Sequence, residues 1–128
     1  MREAVQSALR KLTHVTRPLA LRSAGKAGSN TSIVRHVGRR SGKAYETPIV
    51  AVGHEEDIFI ALPYGDRTDW LKNVLASGSA EVVIQGEGFP VDHPEIVAMK
   101  EATGYFRSKE QRLHRRFRVE SALRLHRA

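Results

Sequence analysis

Cysteine is absent from the sequence of 128 residues. Its absence excludes disulfides, thiolate metal sites, cysteine nucleophiles and iron–sulfur clusters. The sequence also lacks an apolar run near the roughly 20 residues of a membrane-spanning helix, and its N-terminus has no apolar segment ending at a small-residue cleavage site. We therefore expect a cytoplasmic protein, in which any redox activity would depend on a bound organic cofactor.

Metal-ligand and hydrolase patterns are missing too. The six histidines form no His-x-His or His-x3-His pair, spacings that are common among metal ligands, so no metal site is predicted. Ser41 is not part of a Gly-x-Ser-x-Gly sequence, which forms the nucleophile elbow of many hydrolases. Hydrolase chemistry is therefore disfavoured.

Charge is distributed unevenly along the chain. Residues 1–43 carry ten Lys or Arg against one acid, residues 44–106 carry three against eleven, and residues 107–128 carry eight against two. The net charge is +7. Basic arms around a more acidic middle favour a polyanionic partner, either a phosphate ligand, a nucleic acid or an anionic membrane surface. Solvated helix faces are the alternative interpretation.

Short segments rich in β-branched and aromatic residues predict four strands, at 31–37, 46–53, 57–63 and 80–86. A fifth short strand is expected from Phe89 to Val91, because Gly86-Glu87-Gly88 is typical of a tight hairpin turn. Antiparallel hairpins should therefore dominate the sheet.

Three segments have helical spacing of apolar residues. Residues 2–22 predict an amphipathic helix, followed by a loop over 24–30. A helix is expected to begin within 66–69 and to end at Gly78. From Pro94 onward apolar residues again recur at helical intervals, which predicts a helical C-terminal segment.

Short antiparallel strands around one inserted helix favour a small barrel of α+β or mainly β class, because closure removes exposed sheet edges. We expect one domain over 1–128. Its parts would be an N-terminal helix and loop (1–29), a barrel core (30–97) and a C-terminal helical segment (98–128).

A basic turn between the first two predicted strands, Gly38-Arg39-Arg40-Ser41-Gly42-Lys43, is the strongest local signal. Glycine lets backbone N–H groups converge on an anion, arginine offers a fork to phosphate or carboxylate oxygens, and serine adds a donor. A phosphate site and an ordinary basic hairpin turn are both consistent with this sequence.

A second candidate site lies where the third strand gives way to the inserted helix, at Leu62-Pro63-Tyr64-Gly65-Asp66. The unpaired N–H groups at the start of that helix could receive an anion or a ring. The alternative is that Asp66 or Thr68 caps the helix with its own side chain.

Aromatic residues near these segments are candidates for contact with a ring. Tyr64 and Tyr45 stand at a strand end and near a turn, which suits stacking or proton donation. Trp70 is the single tryptophan, and its place on the apolar face of the predicted helix is more typical of a core residue.

Three segments in this order resemble the deazaflavin-dependent nitroreductase family: residues 36–43, residues 46–50 and residues 70–74 with the strand that follows. The resemblance covers about residues 30–97. It implies a split β-barrel of the FMN-binding kind that binds coenzyme F(420), an 8-hydroxy-5-deazaflavin with a phosphate linker and an oligoglutamate tail. A reduced deazaflavin donates hydride from C5, and the protein supplies orientation and exclusion of water.

The resemblance also implies which residues bind the cofactor. The phosphate side would be held by Arg39, Arg40, Ser41, Gly42 and Lys43, and the ring by Thr47, Pro48, Ile49 and Val50. The pocket would be completed by Tyr64, Gly65, Trp70 and Asn73. Tyr64 would either flank the ring or act as a general acid. Relatives often carry a basic residue where this chain has Tyr45 or Glu46, which leaves FMN as the alternative cofactor.

The expected function is that of an oxidoreductase transferring hydride from a reduced deazaflavin to a small electron-poor acceptor such as a nitro compound, a quinone or an enone. The alternatives are a flavin- or deazaflavin-binding protein without catalysis, and a basic nucleic-acid or membrane-surface binder. Partners expected are a small-molecule substrate and no specific nucleic acid. Peripheral membrane contact through the N-terminal helix and a homodimer are two further options.

Overall fold

The computed structural model describes residues 31–128. The helix predicted over 2–22 and the loop predicted over 24–30 lie outside the described residues. The strands of the described part are β1 (Ser32–Val37), β2 (Ala44–Ile49), β3 (Ala51–His54), β4 (Asp57–Ala61), β5 (Ser79–Ile84), β6 (Glu87–Ala98) and β7 (Ser121–Arg127). Its helices are α1 (Asp69–Ser77), α2 (Met99–Ala102) and α3 (Ser108–Arg116), with a 3-10 turn at Thr103–Tyr105.

The strands form one sheet in the order β2-β1-β5-β6-β7-β4-β3, and all neighbouring pairs are antiparallel. The two edge strands, β2 and β3, are consecutive in the chain and are joined by Val50. The sheet curls into a half-barrel whose opening lies between these edges. This confirms the predicted split β-barrel.

Apolar residues are buried on both faces of the sheet. Along β4, Ile58 and Ile60 belong to one core cluster, whereas Phe59 and Ala61 belong to another. This alternation follows from the strand geometry, in which successive side chains point to opposite faces. Helix α1 adds Leu71 and Val74 to the first cluster, and neither side chain is exposed. Each such side chain contributes about 1.5–3 kcal/mol through burial.

The inserted helix is confirmed with its predicted end. Gly78 has φ 75°, and its N–H donates to the carbonyl of Val74 at 2.8 Å. A left-handed residue at this position is the usual end of a helix, and glycine adopts it without steric cost.

Two strand predictions need correction. The segment 46–53 is two strands rather than one, because the chain leaves β2 at Val50 and continues on the opposite sheet edge. The short strand expected at Phe89 to Val91 is part of a strand of 12 residues that runs through Pro94. The register shifts between Asp92 and Glu95, and this irregularity lets the strand pass a proline.

The prediction of a helical C-terminal segment was wrong in two places. Ile96 and Val97 lie in β6, and residues 121–127 form β7, between β6 and β4. The barrel core therefore extends to the end of the chain instead of stopping at 97. Burial explains the strand, because Leu123 and Leu125 enter the first core cluster while Ala122 enters the second.

Candidate functional site

The basic turn between β1 and β2 has a defined shape. The N–H of Gly38 donates to the carbonyl of Lys43 at 2.8 Å, and the N–H of Gly42 donates to the carbonyl of Gly38 at 2.9 Å. Gly42 has φ 70°, which glycine adopts without strain. At Gly38 an added Cβ would lie 2.6 Å from Ser41 Oγ. The two glycines thus have different roles, one conformational and the other steric.

The two arginines of this turn have different surroundings. Arg39 donates to Asn73 Oδ1 twice, from its backbone N–H at 3.1 Å and from Nη1 at 2.8 Å. Its Nη2 also lies 3.3 Å from a carboxylate oxygen of Asp69. Arg39 therefore ties the turn to α1. Within residues 31–128, no hydrogen bond or ion pair engages the exposed side chain of Arg40 or that of Lys43.

A buried histidine lies beneath the turn. His36 is 4% exposed, with Nδ1 at 3.1 Å from Asn73 Nδ2 and Nε2 at 2.9 Å from Thr47 Oγ1. The ring of Tyr45 stacks on it with 5.8 Å between centroids. Burial lowers the pKa of His36 from 6.5 to about 4, because an imidazolium removed from water is costly. His36 is therefore neutral at neutral pH.

A first cavity of about 620 Å³ opens over this network. It is mainly polar in its side chains and contains cations and acids together. Arg40 supplies a guanidinium that is free of other described residues, whereas Asp69 already pairs with Arg39. The lining residues are His36, Gly38, Arg39, Arg40, Ser41, Tyr45, Glu46, Thr47, Asp69, Trp70 and Asn73.

A second cavity, of about 750 Å³, is lined mostly by apolar side chains. Its lining comes from residues 47–50, from residues 61–65 and from α3 with the residues that follow it. Thr47 and Trp70 line both cavities. The two cavities therefore adjoin, with a compartment lined by polar residues and by charges of both signs on one side and an apolar compartment on the other.

The structure brings most of the predicted site residues together. The first cavity includes Arg39, Arg40, Ser41 and Asn73, the second includes Pro48, Ile49, Val50, Tyr64 and Gly65, and both include Thr47 and Trp70. Gly42 and Lys43 line neither cavity, although both belong to the same turn. Tyr64 is 86% exposed and therefore stands at the mouth of the second cavity.

The sequence left open whether the side chain of Asp66 or Thr68 caps the start of α1. Thr68 is the N-cap residue, but no side chain caps the helix. The Thr68 hydroxyl is buried and has no hydrogen-bond partner among the described residues. The capping interpretation was therefore wrong, and the N–H groups at this helix start are not satisfied by a side chain of the cap.

The sequence did not predict one wall of the second cavity or the role of His36. The wall comes from α3 and the residues after it, including Glu110, Leu113, His114 and Phe117. Burial lowers the pKa of His114, and the nearby Glu110 opposes that shift. For His36 a signal existed, since it lies two residues after the core residue Val34 and therefore on the same inward face of β1.

Comparison with solved structures identifies proteins that share this fold. An F(420)-H2 dependent reductase has a TM-score of 0.57 at 12% identity, over 76% of this chain and 94% of that one. An F(420) reductase has a TM-score of 0.51 at 11% identity, over 77% and 86%. General Stress Protein 26 from Bacillus anthracis str. Sterne has a TM-score of 0.53 at 8% identity, over 98% and 87%.

The family assignment rests on the sequence. No curated protein matches this chain, but the family model of the F(420)H(2)-dependent quinone reductases matches residues 8–120. The predicted deazaflavin-dependent reductase is confirmed by that match. The chain therefore belongs to the F(420)H(2)-dependent quinone reductase family and is an oxidoreductase whose cofactor is coenzyme F(420).

Proposed function

We propose that the protein binds coenzyme F(420) across both cavities and uses it to reduce a small electron-poor acceptor. The phosphate linker and tail would lie on the turn 38–43, and the deazaflavin ring in the apolar compartment. The observation that carries this proposal is the junction, at Thr47 and Trp70, of an apolar cavity with one where the Arg40 guanidinium is free of other described residues. Such a division matches a ligand with one anionic end and one flat apolar end.

The chemistry of the first cavity suits a phosphate. Arg40 offers a planar guanidinium that can donate two hydrogen bonds to one phosphate, and Ser41 Oγ adds a hydroxyl at the same turn. Arg39 is committed to Asn73 and Asp69, so it shapes the turn more than it contributes free charge. We therefore assign the main anion contact to Arg40, with Lys43 available to a longer tail.

The second cavity suits a ring. Its volume of about 750 Å³ lies in the range of roughly 300–1,000 Å³ that is usual for small-molecule sites. Pro48, Ile49 and Val50 present the end of β2 and the crossing to β3, and half-buried Trp70 lies at the junction. These apolar surfaces would orient a flat ring and exclude water from one of its faces.

The bound deazaflavin supplies a hydride, and the chain's own residues position the reactants. Apolar side chains around the ring exclude water, and Arg40 fixes the anionic end. We propose that Tyr64 holds a proton on its hydroxyl for the reduced acceptor. Since Tyr64 is 86% exposed, this role requires that the bound acceptor cover the phenol.

The acceptor class is a quinone, a nitro compound or an enone, each of which takes a hydride and then a proton. Titration with oxidised F(420), followed by its fluorescence, tests cofactor binding. Oxidation of the reduced cofactor by one representative of each class, followed by absorbance, tests turnover. Binding without turnover of any class would favour the non-catalytic alternative, and preference for FMN would contradict the cofactor assignment for this site.

Contacts with larger partners remain predictions. No helix in residues 31–128 is long and apolar enough to cross a membrane. Peripheral contact through residues 2–22 predicts that a chain starting at Ala24 loses binding to anionic vesicles. A homodimer predicts a doubled mass in solution. Nucleic-acid binding should be non-specific and should disappear above about 200 mM salt.

A further inference from the structure

Four residues under the basic turn form a continuous chain of hydrogen bonds. Arg39 donates to Asn73, Asn73 contacts His36, and His36 contacts Thr47. Thr47 is the member that borders both cavities. The direction of each hydrogen bond can be deduced from the donors at one end.

The orientation of the Asn73 amide is fixed by Arg39. One amide atom of Asn73 faces two donors, the backbone N–H and the Nη1 of Arg39. That atom must be the oxygen, since a nitrogen there would place donor against donor twice. The amide nitrogen therefore faces His36 and donates to Nδ1 at 3.1 Å.

The same reasoning fixes the histidine. Nδ1 accepts a hydrogen bond, so a neutral imidazole carries its proton on Nε2. Nε2 then donates to Thr47 Oγ1 at 2.9 Å. The Thr47 oxygen acts as acceptor in this bond, and its own proton is available in another direction. Protonation of Nδ1 would place its N–H against the amide N–H of Asn73 and break this hydrogen bond, and burial also opposes protonation.

We propose that His36 is a positioning residue that holds the Thr47 hydroxyl as a hydrogen-bond donor to the cofactor where the two cavities meet. This inference rests on the proposed function, since it assumes that the cofactor passes Thr47. It specifies the ligand group at that point as a hydrogen-bond acceptor. The acceptor could belong to the ring or to the phosphate linker.

Binding of oxidised F(420) to four variants tests the proposal. Thr47→Val keeps the shape and removes the hydroxyl, and it should weaken binding about tenfold. The matched control Thr47→Ser keeps the hydroxyl and should stay within about threefold of the parent. His36→Phe should weaken binding as much as Thr47→Val, and the double variant should lose no more than either single one.

A deazaflavin that lacks the phosphate linker distinguishes the two possible positions of the acceptor. If the loss in Thr47→Val persists with this ligand, the acceptor is on the ring part. If the loss occurs only with the intact cofactor, the acceptor is a linker oxygen. Absence of any loss with both ligands would overturn the proposal.

A spectroscopic measurement needs no cofactor and no variant. Nitrogen-15 NMR of the histidine side chains in the parent protein should show His36 as the neutral form with its proton on Nε2. A proton on Nδ1 would overturn the proposal, even if His36→Phe fails to fold. The proposal would also be overturned if the losses of F(420) affinity in Thr47→Val and His36→Phe multiplied in the double variant, since the two residues would then act independently. Failure of the parent to bind F(420) would instead refute the proposed function, and with it the ligand assigned to Thr47.

Discussion

Asn73 Oδ1 accepts two hydrogen bonds from Arg39, at 3.1 Å from the backbone and at 2.8 Å from the guanidinium. The two residues are 34 positions apart in the chain, so this contact fixes the basic turn against α1. It also separates the roles of two adjacent arginines. Arg39 stabilises the site, whereas Arg40 remains available to a ligand.

Replacing each arginine with alanine should therefore have different consequences. Arg40→Ala should weaken F(420) binding by about 1.5–3 kcal/mol, the usual size of a hydrogen bond to a charged group, and leave the melting temperature unchanged. Arg39→Ala, unlike Arg40→Ala, should lower the free energy of unfolding by about 1 kcal/mol, because the hydrogen bond from its guanidinium to Asn73 is lost. Titration at low salt and thermal unfolding measure the two effects. Unchanged affinity of Arg40→Ala would contradict the proposed anion contact.

Stability should depend on pH through His36. The unfolded histidine titrates near pH 6.5 and the folded one near pH 4. Above pH 6.5 both states are neutral and the full stability is present. As pH falls from 6.5 to 4 the unfolded state takes up a proton that the folded state does not, and about 3 kcal/mol of stability is lost.

The charges around His36 and a second buried histidine also affect stability, so a variant is needed as reference. His114 also has a lowered pKa, and Glu46 and Asp69 line the same cavity as His36, together with Arg39 and Tyr45. Denaturant unfolding of the parent and of His36→Phe at several pH values isolates the contribution of His36. If the free energy of unfolding fell equally steeply with falling pH in the two proteins, His36 would not be held neutral in the folded state.

The local features of the fold were predictable, and the non-local ones were not. The turn 38–43 and helix α1 follow from glycines and from apolar spacing over a few residues. Strand β7 escaped prediction because its partners, β6 and β4, lie elsewhere in the chain. A spacing of apolar residues does not specify which strands pair, and the segment before it reads as helical.

The residues of the candidate site also divide into local ones, which were predictable, and distant ones, which were not. The sequence located the residues of the first cavity because they lie on one turn and one helix. It missed the contact of His36 with Asn73, since these residues are 37 positions apart and meet only when α1 packs on β1. It also missed the wall from α3, because nothing local indicates that Leu113 and Phe117 face the end of β2.

Gly38 should be required for space. An added Cβ would lie 2.6 Å from Ser41 Oγ and 2.9 Å from Tyr45 Cε2, so both side chains must move. Since both can move, Gly38→Ala should cost only about 1 kcal/mol of stability but should weaken F(420) binding several-fold by displacing Ser41. Gly104→Ala is the matched control, because nothing lies within 4 Å of its added Cβ. Similar behaviour of the two variants in binding would contradict a role for the turn.

Tyr64 is the proposed proton donor, and its hydroxyl can be removed without removing its ring. Tyr64→Phe should lower kcat about 100-fold, since a general acid typically contributes roughly 100-fold to 10,000-fold, while the affinity for F(420) stays nearly unchanged. The reason is that a phenylalanine ring still fills the mouth of the second cavity, where Tyr64 lies between Pro63 and Gly65. Single-turnover oxidation of the reduced cofactor, with the acceptor at saturation, measures the effect.

Tyr45→Phe provides the matched control for loss of a phenol. Tyr45 is 43% exposed and lines the first cavity, with its hydroxyl 3.4 Å from Ser41 Oγ. Its loss should alter cofactor affinity more than kcat, because it lies on the side assigned to the phosphate. If Tyr64→Phe keeps the parental kcat, water supplies the proton, which an 86% exposed residue permits. Tyr64 would then only flank the ring, and the catalytic role proposed for it would be removed.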